Sequence, residues 1–248
     1  MALLEIRNLS KYFGGLRALD QVDIDVSQGE ILGLIGPNGS GKTTLFNVIT
    51  GVFSPNNGSI RFRGEDIVGL KPHQVAKKGI IRTFQKDTVF GNFSVFDNLV
   101  IAKHMEFEKQ LWKGLLKFRR IDPPAAADLK EILSLTGLDA YKDRVAGNLD
   151  TGWRRVLALA TALSANPQLL LLDEPITTLT PKMVEVVMDL ICKVRDRGTT
   201  VMLVEHNMGP IMDHCNRIVV LNFGKKIADD VPKRIQENKD VIEAYLGA

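Results

Sequence analysis

Several short runs along the chain are apolar at almost every position, while others alternate strictly. Ile31-Leu32-Gly33-Leu34-Ile35 and Leu169-Leu170-Leu171-Leu172 belong to the first kind. Such runs predict strands buried on both faces, the leucine run being a strand of a parallel sheet. Thr199-Thr200-Val201-Met202-Leu203-Val204 predicts a further strand. Leu4-Glu5-Ile6-Arg7-Asn8-Leu9 and Ser59-Ile60-Arg61-Phe62-Arg63 alternate, and Val22, Ile24 and Val26 alternate with Asp23, Asp25 and Ser27. Alternation predicts strands, with one wet face in an antiparallel sheet for the stretch around Val22. Ile80-Ile81-Arg82-Thr83-Phe84-Gln85 predicts a short strand that ends on a glutamine. Thr44 to Thr50 predicts a helix stopped at Gly51, and Ser94-Val95-Phe96-Asp97 has the form of a capping box opening a helix through Ala102. Pro123-Pro124 predicts a break before a helix from about Ala127 to Thr136. The pattern as a whole predicts one α/β domain over residues 1–248, with a mainly helical insertion at approximately 86–165.

Chemistry enters immediately after the first buried run. Gly36-Pro37-Asn38-Gly39-Ser40-Gly41-Lys42-Thr43-Thr44 fits Gly-x-x-x-x-Gly-Lys-Ser/Thr, between a predicted strand and a predicted helix. Glycines let backbone N–H groups converge on phosphates where a Cβ would block the approach. Lys42 supplies a point charge for the β- and γ-phosphates, and Thr43 a hydroxyl ligand for Mg²⁺. The stretch predicts a nucleoside triphosphate site.

The leucine run closes on Asp173 and Glu174, so two carboxylates stand at the carboxyl end of a buried strand. Open α/β sheets place their ligands there. Asp173 is predicted to hold Mg²⁺ through water, and Glu174 to polarise the attacking water as general base. The strand at 199–204 closes on Glu205-His206, which places His206 within reach of the γ-phosphate. His73, His104 and His214 have no such placement and read as structural. Phe13, in Lys11-Tyr12-Phe13-Gly14-Gly15, is either a base-stacking ring or a turn residue packed on the core.

Composition narrows the classes. The chain has 248 residues, 45% hydrophobic and 25% charged, as expected for a soluble globular protein. A net charge of +3 is too small to imply nucleic acid. Cys192 and Cys215 lack metal-type spacing, and the N-terminus is no signal peptide, which together favour the cytosol. No run reaches the roughly 18 apolar residues of a membrane span, so a membrane role is expected to pass through a partner. Between His104 and about Leu149, Lys109, Lys113, Lys117, Arg119 and Arg120 interleave with Leu111, Trp112, Leu115, Leu116 and Phe118. That stretch reads as an amphipathic surface helix, or as a contact for anionic lipid or a partner helix.

Taken in order, these motifs resemble the ATP-binding subunit of ABC transporters over essentially the whole chain. Phe13-Gly14-Gly15-Leu16, the long helical insertion and Val241-Ile242-Glu243-Ala244-Tyr245-Leu246-Gly247 look most like the ATPases of branched-chain amino-acid importers. The resemblance implies a P-loop ATPase of the ABC type, with a mainly parallel core sheet, an antiparallel β subdomain and a helical subdomain. It implies ATP and Mg²⁺ as cofactors, and Phe13 at the adenine-stacking position. It places Gln85 at the loop that senses the membrane partner, with catalytic and metal roles, and His206 at the switch position. Partners implied are transmembrane permease subunits and a second ATPase subunit closing face to face, at the cytoplasmic face of the membrane. No nucleic acid is expected.

One departure has a direction. Where the family carries a Leu-Ser-Gly-Gly-Gln-like signature, this chain has Leu149-Asp150-Thr151-Gly152-Trp153, and only Leu149 and Gly152 agree. By resemblance this segment meets the γ-phosphate bound by the opposite subunit. Asp150 sets a carboxylate there, and like charges ~4 Å apart at an effective dielectric of about 20 repel by about 4 kcal/mol. A helix terminus returns only roughly 0.3–1 kcal/mol. Asp150 or Thr151 could instead cap its own helix, and the altered signature could still serve through backbone contacts. Thr180 likewise stands where the family has Asp or Asn. The expectation is a heterodimer in which this chain hydrolyses ATP and serves the opposite site poorly. A regulatory ATP-binding subunit and a soluble ABC ATPase acting on nucleic acid or ribosomes remain open alternatives.

Overall fold

The computed structural model describes residues 2–83, 89–105 and 123–246. Gln85, the basic segment from Lys109 to Arg120 and Gly247 lie outside the described residues.

The chain opens with a long antiparallel pair, β1 (Ala2–Phe13) and β2 (Leu16–Ser27), closed by Gly14-Gly15. β1 also pairs antiparallel with β4 (Asn57–Phe62), and β4 with the short β5 (Glu65–Asp66). These strands form a four-stranded sheet in the order β2-β1-β4-β5. A six-stranded sheet contains β3 (Ile31–Ile35), β6 (Ile80–Arg82), β7 (Leu169–Asp173), β8 (Thr200–Val204), β9 (Arg217–Asn222) and β10 (Lys225–Asp230). Its order is β10-β9-β3-β8-β7-β6, parallel throughout except for the β9–β10 hairpin at one edge.

Burial on both faces accounts for the continuous apolar strands, because successive side chains enter different cores. Leu170 and Leu172 of β7 and Val201 and Leu203 of β8 face one core. Leu169, Leu171, Met202 and Val204 face the other, with Leu45, Phe46 and Ile49 of α1 (Lys42–Ile49) and the inner face of the antiparallel sheet. The phosphate-loop helix is thus fixed between the two sheets.

Between β6 and β7 the described elements are helical: α2 (Pro72–Lys77) precedes them, then come α3 (Val95–Met105), α4 (Pro123–Thr136) and α5 (Thr151–Leu163). α5 packs on α3, on α4 and on α6 (Pro181–Asp196). The remaining helices are α7 (Met208–His214), α8 (Pro232–Glu237) and α9 (Lys239–Leu246). The capping box at α3 is present, with the Asp97 N–H donating to Ser94 Oγ at 3.0 Å and Ser94 Oγ donating to Asp97 Oδ2 at 2.7 Å.

Boundaries differ from those the sequence predicts: β6 stops at Arg82, α1 begins at Lys42 rather than Thr44, and α3 runs past Ala102 to Met105. β1 extends to Phe13, so Lys11 to Phe13 are strand residues rather than a connection. α4 starts at Pro123, not near Ala127: a proline in the first turn gives up an N–H that would have had no intrahelical partner. Glu65-Asp66, just past the predicted strand, pairs back with β4.

Candidate functional site

The carboxyl ends of β3, β7 and β8, adjacent strands of the parallel sheet, carry the chemistry-bearing residues. Chain direction in a parallel sheet forces this juxtaposition, since every strand delivers its end to the same edge.

Gly36 leaves β3 at φ +147°, where an added Cβ would lie 2.0 Å from the Leu221 carbonyl oxygen. Gly41 caps α1 at φ +108°, and a Cβ there would meet the Ala18 carbonyl at 2.5 Å. The loop therefore lies against β9 and β2 as only glycine permits. Gly39, at φ +78°, has open space where its Cβ would be, leaving an approach to the backbone N–H groups. Lys42 is buried and curls back over the loop, with Nζ donating to the carbonyls of Gly36 (2.7 Å) and Pro37 (2.9 Å). Burial holds its pKa below the ordinary lysine value, partly offset by Glu174 and Asp173. Thr43, one residue on, is exposed.

Asp173 is 3% exposed. Its Oδ2 accepts from Arg82 Nη2 at 2.6 Å, while its buried Oδ1 has no hydrogen-bond partner. Glu174 follows with φ +52°, its N–H donating to the Val204 carbonyl at 2.9 Å. His206 Nε2 lies 2.7 Å from Glu174 Oε1, so the two strand-end residues singled out for water activation and switching are in contact. Between β8 and His206, Glu205 is fully buried and accepts from the Ile176 and His206 N–H groups and from Thr177 Oγ1. Burial pushes its pKa up. It holds the loop after Glu174, a role invisible in the chain order.

These residues fit a triphosphate and Mg²⁺. An orphaned carboxylate oxygen, a buried lysine, an exposed threonine hydroxyl and an open glycine loop meet at one sheet edge. No cluster of three His, Cys, Asp or Glu side chains suited to a metal occurs among the described residues. Mg²⁺ usually keeps several waters and substrate phosphates as ligands, so it needs no such cage.

Phe13 is neither core nor buried turn: it is 42% exposed near the hairpin tip, its ring edge-on to Phe53 at 5.3 Å. The Lys11 ammonium lies 5.2 Å from its centroid. In the Leu149–Trp153 segment, Asp150 caps α5, with Oδ1 accepting from the Trp153 N–H at 2.9 Å. Leu149 is buried and Thr151 exposed. A Cβ on Gly152 would meet Met183 at 2.8 Å, and the Trp153 ring packs on Tyr141 at 4.9 Å. Thr180 caps α6, its Oγ1 3.4 Å from the Met183 N–H. His214 Nδ1 lies 2.9 Å from the Pro210 carbonyl oxygen, a local structural contact. Arg82 and Asn47, which the sequence reading did not single out, join the site through Asp173. The available signal was a lone arginine in an otherwise apolar strand.

A family model described as "ABC transporter" matches residues 19–177, and one described as "Branched-chain amino acid ATP-binding cassette transporter" matches residues 225–248. The high-affinity branched-chain amino acid transport ATP-binding protein BraF of Pseudomonas aeruginosa is 40% identical, over 99% of this chain and 98% of its own. LivG of Escherichia coli, described in the same words, shows 40% identity over 99% of this chain and 98% of its own. Among solved structures, an ATP-binding cassette of an ABC transporter in its ADP conformation has a TM-score of 0.90 at 31% identity, covering 100% of both chains. A nucleotide-free cassette has a TM-score of 0.88 at 30% identity, again covering 100% of both. The chain belongs to the ATP-binding subunits of ABC transporters, ATPases coupled to transport.

Proposed function

We propose that this subunit energises an importer of branched-chain or related amino acids, docked as a peripheral subunit on transmembrane permeases at the cytoplasmic face of the membrane. Among the described residues no helix is long and apolar enough to cross a membrane. The observation that carries the catalytic reading is the meeting of Lys42, Asp173, Glu174 and His206 at one sheet edge, with His206 2.7 Å from Glu174.

In this reading Gly36 to Thr44 wrap the phosphates of ATP and Lys42 exchanges its loop carbonyls for phosphate oxygens. Thr43 and Asp173 would hold Mg²⁺, Asp173 through water. When bound, Mg²⁺ neutralises charge developing on the phosphates. Glu174 orients and polarises the attacking water, and His206 fixes the Glu174 carboxylate while facing the γ-phosphate. The exposed Phe13 ring stacks on adenine. Gln85 keeps the permease-sensing, catalytic and metal roles that the resemblance implies.

The capped Asp150 supports an asymmetric pair. Its carboxylate holds the Trp153 N–H, one of the helix-end donors an opposing phosphate would use, and adds a like charge. This chain therefore hydrolyses ATP opposite a partner ATPase with an intact signature and completes the partner's site poorly. Restoring Asp150→Ser, Thr151→Gly and Trp153→Gln together is expected to raise ATP turnover of the assembled transporter. Unchanged turnover with unchanged assembly would overturn the asymmetric reading. Uptake of labelled leucine in cells expressing the permease, with and without this subunit, tests the cargo class.

A further inference from the structure

Arg82 ends β6 beside β7, and its side chain is 6% exposed. One arm of its guanidinium donates to Asp173 Oδ2 at 2.6 Å, the other to Asn47 Oδ1 at 2.7 Å. Its Cζ lies over the Phe46 ring, 5.4 Å from the centroid. Asn47 and Phe46 belong to α1, Asn47 one helical turn beyond Thr43. The guanidinium thus spans from the helix bearing the proposed metal-ligand hydroxyl to the strand bearing the proposed metal-site carboxylate. It occupies one oxygen of Asp173, and the other, Oδ1, is buried without a hydrogen-bond partner.

We infer that Arg82 is a positioning residue for the metal, fixing the Asp173 carboxylate so that Oδ1 faces the Mg²⁺ position at a set separation from Thr43. The inference rests on the reading of Asp173 as a metal-site residue. Partners that orient a carboxylate of a metal site tune the metal through it. A flexible ammonium cannot replace the arginine, because only a rigid planar fork addresses Asn47 and Asp173 with separate N–H groups. Charge alone predicts the opposite sign: a cation in contact with Asp173 weakens its pull on Mg²⁺, so removing it would tighten the metal. Geometry and charge are therefore separable by experiment.

The probe is Mn²⁺ binding in the presence of saturating ADP, followed by electron paramagnetic resonance, on wild type, Arg82→Lys, Asn47→Ala and Asp173→Asn. Circular dichroism melting of each variant accompanies it. Arg82→Lys keeps the charge and is expected to weaken Mn²⁺ binding about 10-fold, the lower end of the range seen when partners of metal ligands are changed, because Asp173 acts through water. Asn47→Ala, which loosens only the far anchor, is expected to weaken it in the same direction. A merely structural Arg82 would lower the melting temperature and leave Mn²⁺ affinity where it was. Unchanged or tighter affinity in Arg82→Lys, with Asp173→Asn weakened, overturns the inference. Should Arg82→Lys not fold, Asn47→Ala decides, and unchanged affinity there overturns it equally. If Asp173→Asn leaves Mn²⁺ binding unchanged, the metal role of Asp173 itself fails, and the inference with it.

Discussion

Lys42 must exchange two protein hydrogen bonds to reach a phosphate. Its ammonium is buried and donates to two loop carbonyls, and burial holds its pKa below the ordinary lysine value. Incoming phosphates bring negative charge and push that pKa back up. Above the lowered pKa, free Lys42 has lost its proton, and binding must take one up from solvent. ATP affinity is therefore expected to fall as pH rises through the pKa of free Lys42, and to be level well below it. Calorimetry in two buffers of different ionisation enthalpy should show proton uptake at alkaline pH. Lys42→Arg, whose cation does not titrate in this range, should abolish the buffer dependence if it binds ATP. Uptake that persists in Lys42→Arg would assign the proton to another group.

At the scale of elements, α5 shows how one side chain serves structure at the expense of a surface. Asp150 satisfies the Trp153 N–H and sets a negative charge at the positive end of the helix. Asp150→Ala is expected to lower unfolding free energy by about 0.5–2 kcal/mol, whereas Asp150→Ser, also a good cap, should stay near wild type. Urea denaturation of the two variants checks this: equal loss in both would assign the effect to the carboxylate charge, and no loss in Asp150→Ala would show that the cap contributes nothing.

What could be read beforehand at this scale follows from range. The buried strands and the phosphate loop were legible because their cause is local: continuous apolarity, then glycines. The ends of β1 were not, because register shifts between Ile6 and Leu9, Leu9 and Lys11, and Lys11 and Tyr12 break the alternation while pairing continues. Pro123-Pro124 read as a breaker, although the first turn of a helix tolerates proline. The contacts of Arg82 with Asp173 and of His206 with Glu174 join residues 91 and 32 positions apart. Only the order of strands in the sheet brings them together, and no periodicity encodes that order.

At the scale of the whole molecule, Lys42, Asp173, Glu174 and His206 meet at the carboxyl edge of the parallel sheet, and in the proposed reading a second subunit supplies the signature. Glu174→Gln separates binding from hydrolysis, because the amide keeps the shape but is a far weaker base. Single-turnover hydrolysis is expected to fall by ~10²–10⁴ with ATP binding retained. That variant would hold any ATP-closed pair long enough to weigh it by light scattering, with and without Mg-ATP. The capped Asp150 predicts that it stays a monomer alone and doubles in mass only with a partner ATPase bearing an intact signature. Adding Asp150→Ser, Thr151→Gly and Trp153→Gln to Glu174→Gln should then permit self-pairing. Dimerisation of Glu174→Gln alone would mean that Asp150 tolerates the opposing γ-phosphate and that two copies of this chain suffice. A monomer even in the restored variant would place the barrier elsewhere, with Thr180, the cap of α6, the next residue to change.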